Sequence, residues 1–160
     1  MPVHSVQEAR GQGGVRWRVR RQALAAIAWG ALGVLMPMAA AAEPVAVRFV
    51  VDGEAALMRL ADTPTARDFL AMLPLTLVFE DYHGTEKISD LPARLSAAGS
   101  PAGFDPDVGT VAYFAPWGNL AVFYRDFGYS NGLVELGTVV SGLEVLKRNE
   151  SFTATVERVE

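Results

Sequence analysis

From Val45 onward the chain is a succession of short apolar segments of period two, separated by glycine, proline, asparagine and aspartate. Period two is the side-chain repeat of a half-buried strand, so this feature limits the chain to a β-rich fold. Val45, Val47, Phe49 and Val51 alternate with Ala46, Arg48 and Val50. Asp52-Gly53 follows, a turn whose two positions tolerate positive φ, and Glu54 to Leu60 returns as the partner strand. Leu75, Leu77 and Phe79 alternate with Thr76, Val78 and Glu80. Thr110 to Ala115 and Leu120 to Arg125 read as a hairpin around Pro116-Trp117-Gly118-Asn119, and Asp126 to Gly132 as a polar loop. Leu133 to Val140 and Ser151 to Val159 bring the count to seven strands, and Glu86-Lys87-Ile88 would make eight.

Two helices interrupt the strands. Asp62 or Thr63 can cap the first, with Pro64 in its first turn. Ala66, Phe69, Leu70 and Leu73 form one apolar stripe, and Pro74 ends it. Ser141 can cap a second, short helix running through Leu146. Asp81 to Pro106 reads as irregular, with a helical turn over Leu91 to Ala98, and its length is a hint of function. Many strands, two short helices and no βαβ rhythm predict a mainly β fold. The expected form is a closed barrel of about eight strands with two short capping helices. Closure removes the edges along which strands aggregate.

The first 42 residues differ in kind. Arg16 to Arg21 form a basic cluster, Ala23 to Met36 is uncharged and rich in alanine and leucine, Pro37 breaks the run, and Ala39 to Ala42 are small. This is the pattern of a secretory signal over residues 1–42, with cleavage after Ala42. It predicts a periplasmic or secreted domain over residues 43–160, off the membrane once cleaved. The other reading is an anchor, because Ala23 to Ala42 is 20 residues without charge, long enough to span a bilayer. From Glu43 onward 9 basic residues face 17 acidic ones, a net charge of −8, which disfavours nucleic-acid binding. With no cysteine, disulfides, thiolate nucleophiles and thiolate metal sites are excluded.

Several blocks occur in an order that resembles the small bacterial cyclophilin-like fold proteins. They are Pro64-Thr65-Ala66-Arg67-Asp68-Phe69, Leu73-Pro74-Leu75-Thr76-Leu77, Asp81-Tyr82, Glu86-Lys87-Ile88 and Leu91-Pro92. The second half adds Tyr113, Pro116-Trp117-Gly118-Asn119-Leu120, Phe123-Tyr124 and Leu136-Gly137. The resemblance spans Val45 to Glu160 and implies a cyclophilin-type eight-stranded barrel capped by helices. It brings no activity with it. Prolyl isomerases of that fold use an arginine beside an apolar pocket, and their phenylalanine–histidine–arginine segment and paired-phenylalanine strand are not found here.

Three groups of residues are candidates for a ligand site. Asp81, Tyr82, His83 and Glu86 form the densest polar cluster, and His83 is the single histidine after the leader. It would titrate near neutrality as a general base, but a solvated turn with an incidental histidine looks the same. Glu86 could pair with Lys87 on the surface or point into a cleft. Trp117 stands at a hairpin tip, where the turn needs proline, glycine and asparagine but not an indole. It is either a ligand platform or a lid over the barrel end. Tyr124 and Arg125 stand where a strand meets a loop, and Arg125 could either bind a substrate oxygen or pair with Asp126. No phosphate loop, dinucleotide fingerprint or nucleophile elbow is present, and no cofactor or metal is expected. The first functional expectation is therefore a module binding a small molecule or peptide near Tyr82, Trp117 and Tyr124. The others are an accessory interaction protein and a divergent prolyl isomerase.

Overall fold

Asp52 and Gly53 both adopt positive φ, at 51° and 86°, and so close a tight hairpin between β1 (Ala46–Val51) and β2 (Glu54–Leu60). The structure, a computed structural model, describes residues 45–159. The leader, its alternative as an anchor and the cleavage point after Ala42 lie outside the described residues. Among the described residues, no helix is long and apolar enough to cross a membrane.

Helix α1 (Pro64–Met72) begins where the sequence predicts. Of the two candidate caps, Thr63 is the one used: its hydroxyl accepts from the Ala66 amide at 3.1 Å, while Asp62 pairs with Arg67. The remaining elements are β3 (Leu75–Tyr82), β4 (Glu86–Asp90), β5 (Gly103–Phe104), β6 (Thr110–Phe114) and β7 (Asn119–Phe123). They are followed by β8 (Ser130–Asn131), β9 (Leu133–Ser141), α2 (Leu143–Leu146) and β10 (Phe152–Arg158). Eight strands close into an antiparallel barrel in the order β1-β10-β3-β4-β7-β6-β9-β2, and β5 pairs with β8 in a separate ribbon.

Three local expectations need correction. Leu91 to Ala98 forms no helical turn. That segment is instead tied to α1, the Thr65 hydroxyl donating to the Ser96 carbonyl at 2.6 Å and the Ser96 amide to Asp68 at 3.1 Å. Ser141 still belongs to β9, and the cap of α2 is Gly142 in a left-handed conformation. Only glycine fits there, because a Cβ would lie 2.4 Å from the Ala55 carbonyl oxygen. Finally, β7 ends at Phe123, two residues earlier than its apolar run suggests. The loop after it also contains β8.

The barrel interior is filled by the inward residues of each strand, among them Val47, Phe49, Met58, Phe79, Tyr113 and Leu120. Phe69 of α1 and Leu146 of α2 join this core from opposite ends of β2. A second, smaller cluster lies on the outer face, where Ala112, Ala121, Phe123 and Leu133 are buried with Phe114 and Phe104 packed against them. An outer barrel face that is covered rather than wet is what positions the site.

Candidate functional site

In register, Tyr82 faces Glu86 across β3 and β4, and Glu86 faces Phe123 across β4 and β7. Two further steps along β7 bring Ala121 and then Asn119 to the same outward face, and Asn119 is opposite Phe114 of β6. Strand pleating thus puts Tyr82, Glu86, Phe123, Ala121, Asn119 and Phe114 on one surface. Trp117 from the β6–β7 turn, with Phe127 and Ser130 from the loop after β7, walls it in. The result is a cavity of about 160 Å³ with Ala121 at its floor. The two loop-borne aromatics remain partly open to solvent, Trp117 at 55% and Phe127 at 45%.

Local chemistry fixes the walls. The Asp81 carboxylate accepts from the Gly84 amide at 2.9 Å, which sets the turn carrying Tyr82. The Thr85 carbonyl accepts from both the Tyr124 and Arg125 amides, at 3.1 and 3.2 Å, and pins the start of the loop that bears Phe127. Trp117 stands edge-on to Tyr82 at 5.5 Å and to Phe114 at 5.3 Å, and Phe127 tilts against Phe123 at 5.4 Å. On the turn, Arg94 donates to the Ala115 carbonyl at 2.8 Å.

Two polar side chains point into this aromatic enclosure. Glu86 is 8% exposed and Asn119 is 2% exposed. Glu86 Oε2 and Asn119 Oδ1 are fully buried and have no hydrogen-bond partner. Burial pushes the Glu86 carboxyl up to about 7 from its ordinary 4.5. A buried polar atom without a partner costs about 1–3 kcal/mol, so two in one cavity need a reason.

Of the residues singled out in the sequence, the structure brings Tyr82, Glu86 and Trp117 together in this cavity. The other three lie elsewhere. His83 is exposed on the turn at φ 52°, its ring edge-on to Tyr82 at 4.3 Å, outside the cavity lining. Tyr124 lies just past the end of β7, and its hydroxyl donates to Asp81. Arg125 lies exposed over the Tyr124 ring at 5.9 Å. Sequence reasoning missed Phe114, Asn119, Phe123, Phe127 and Ser130. Among the described residues no group of three His, Cys, Asp or Glu side chains is placed to hold a metal ion.

Behind the cavity, Lys87 points the other way, into the barrel, and is 1% exposed. Its ammonium donates to Asp81 at 2.7 Å and to the Arg148 carbonyl. The Lys87 hydrogen bond, followed by that of Tyr124, holds the Asp81 carboxyl below its ordinary range. Burial, then the bond to Asp81, pushes the Tyr124 hydroxyl up to about 12. These groups satisfy one another, so they read as structure. A larger, open groove of about 900 Å³ runs along Asp52, Glu54 and Arg148. Arg148 is paired there with both acids, at 2.6 and 3.3 Å, leaving it no unmet polar demand.

The family model for the Cyclophilin-like family matches residues 49–157. The solution structure of a hypothetical protein from Archaeoglobus fulgidus superposes with a TM-score of 0.60 at 17% identity, covering 72% of this chain and 95% of that one. At that identity the likeness carries the fold alone. No curated protein matches the chain in sequence.

Proposed function

This chain belongs to the Cyclophilin-like family, and from that premise we propose that it is a binding module whose outer-face cavity receives a small molecule or one side chain of a peptide. One observation carries the reading: Glu86 and Asn119 line an aromatic-walled cavity, and Glu86 Oε2 and Asn119 Oδ1 are buried beside it without a protein hydrogen-bond partner. A ligand that hydrogen-bonds them would remove the cost of leaving them unmet. Exposed aromatic rims are common features of binding surfaces, and Trp117 and Phe127 form such a rim. The leader at residues 1–42 supports a place for this module outside the cytoplasm; N-terminal sequencing of exported protein should begin at Glu43.

Thermal denaturation of wild type and Trp117→Ala against a panel of small molecules and short peptides tests the binding reading. The wild type should be stabilised by a panel member, by mass action on the folded state. Trp117→Ala should lose that response while its own stability changes by less than about 1 kcal/mol, as for exposed sites. A large loss of stability with no ligand response in either protein would make the indole structural and reject the proposal.

A further inference from the structure

Resting on that reading, we propose that the cavity's ligand is an organic cation, an alkylammonium group enclosed by the aromatic walls with its nitrogen at Glu86. Size is the first argument. At about 160 Å³ the cavity is well below the roughly 300–1,000 Å³ of sites for drug-sized ligands, so it suits a group no larger than a side chain. Shape is the second. Trp117 is nearly perpendicular to both Tyr82 (86°) and Phe114 (83°), so three aromatic rings pack on one another along one wall of the cavity. Aromatic faces attract ammonium ions, most strongly where water is excluded.

Charge is the third. Glu86 is the one charged side chain in the lining, which it shares with Tyr82, Phe123 and Phe127, and among the described residues no cation pairs with it. The cations nearby are engaged elsewhere: Lys87 with Asp81, Arg94 with the turn carbonyl, Arg125 over Tyr124. His83 meets the Tyr82 ring and is not in the lining. Burial favours the neutral, protonated carboxyl, and a cationic ligand would instead stabilise its ionised form. The raised pKa of Glu86 adds a signature. At pH 6 a cation must displace a proton that is already gone at pH 8, so affinity should be about tenfold weaker at pH 6.

An alkylammonium can be a free amine or a lysine side chain on a peptide. Calorimetric titration of the full chain at pH 6 and 8 with n-butylammonium, Nα-acetyl-lysine N-methylamide, n-butanol and butyrate tests both charge and source. The expected result is binding of n-butylammonium, n-butanol about tenfold weaker, butyrate weaker still, and the stated pH dependence. Glu86→Gln should abolish the preference for ammonium over alcohol. Tighter binding of the lysine derivative would assign the site to a peptide, and equal binding to a free amine. If n-butanol or butyrate binds as well as n-butylammonium, the cation inference is wrong and the cavity still binds ligands. If no probe binds, or if binding survives both Ala121→Leu, which fills the floor, and Trp117→Ala, the cavity reading falls as well.

Discussion

Glu86→Gln should gain stability relative to wild type as the pH rises from 5 to 8. The carboxyl rises from 4.5 to about 7 on folding, because burial penalises its charged form. Between those values the folded state holds a proton that the unfolded state has released, so stability falls as pH rises and the loss is complete above about pH 7. With 4.5 unfolded and about 7 folded, the penalty grows by about 2–3 kcal/mol between pH 5 and pH 8. Glutamine has the same shape and no charge. Its buried amide carries its own cost of about 1–3 kcal/mol, but that cost does not vary with pH. The quantity to measure is therefore the stability difference between variant and wild type at the two pH values, from urea unfolding extrapolated to water. The variant should gain about 2–3 kcal/mol relative to wild type on going from pH 5 to pH 8, on the order of 10 °C in melting temperature. A difference that stays within about 0.5 kcal/mol across that range would mean Glu86 is solvated or paired in the fold, and the reasoning about the cavity would be refuted.

Asp81→Ala removes the acid that neutralises buried Lys87 and should cost about 3 kcal/mol in urea unfolding. In the wild type, the depressed Asp81 carboxyl contributes stability above its unfolded value of 3.8 that is lost as pH falls through its lower folded value; acid unfolding of the variant should lack this step. Gly137→Ala puts a Cβ 2.2 Å from the Arg59 carbonyl oxygen across β2 and β9, and should destabilise by about 1–3 kcal/mol without changing ligand affinity per folded molecule. A proline-peptide assay decides the isomerase alternative: a rate no faster than the slow uncatalysed background rejects it, and a clear acceleration would assign an enzyme here.

The barrel was legible because its strands announce themselves locally. Val47, Phe49 and Val51 alternate cleanly, Asp52-Gly53 marks its turn, and Thr63-Pro64 marks a helix start. The site was legible only in part, because it is built on the outer face. There Asn119, Ala121 and Phe123 are buried along with the inward Leu120 and Val122, so β7 reads as an unbroken apolar run with no visible parity. Without parity, Tyr124 looks like a neighbour of the site when its hydroxyl donates to Asp81 instead. One signal was available: Phe127 and Tyr129, two aromatics in a glycine-containing loop, have no reason to be there unless they cover or contact something. The partnerless oxygens of Glu86 and Asn119 are a property of three-dimensional packing that no spacing reveals.

The central claim is that a ligand enters the outer-face cavity and meets Glu86. Chemical-shift mapping of isotope-labelled protein during an n-butylammonium titration tests it most directly. The account predicts saturable shifts of the Trp117 indole N–H and the Asn119 side-chain amide, with those of the Asp52–Glu54 groove unmoved. Shifts confined to that groove, or none at saturating concentration, would contradict it.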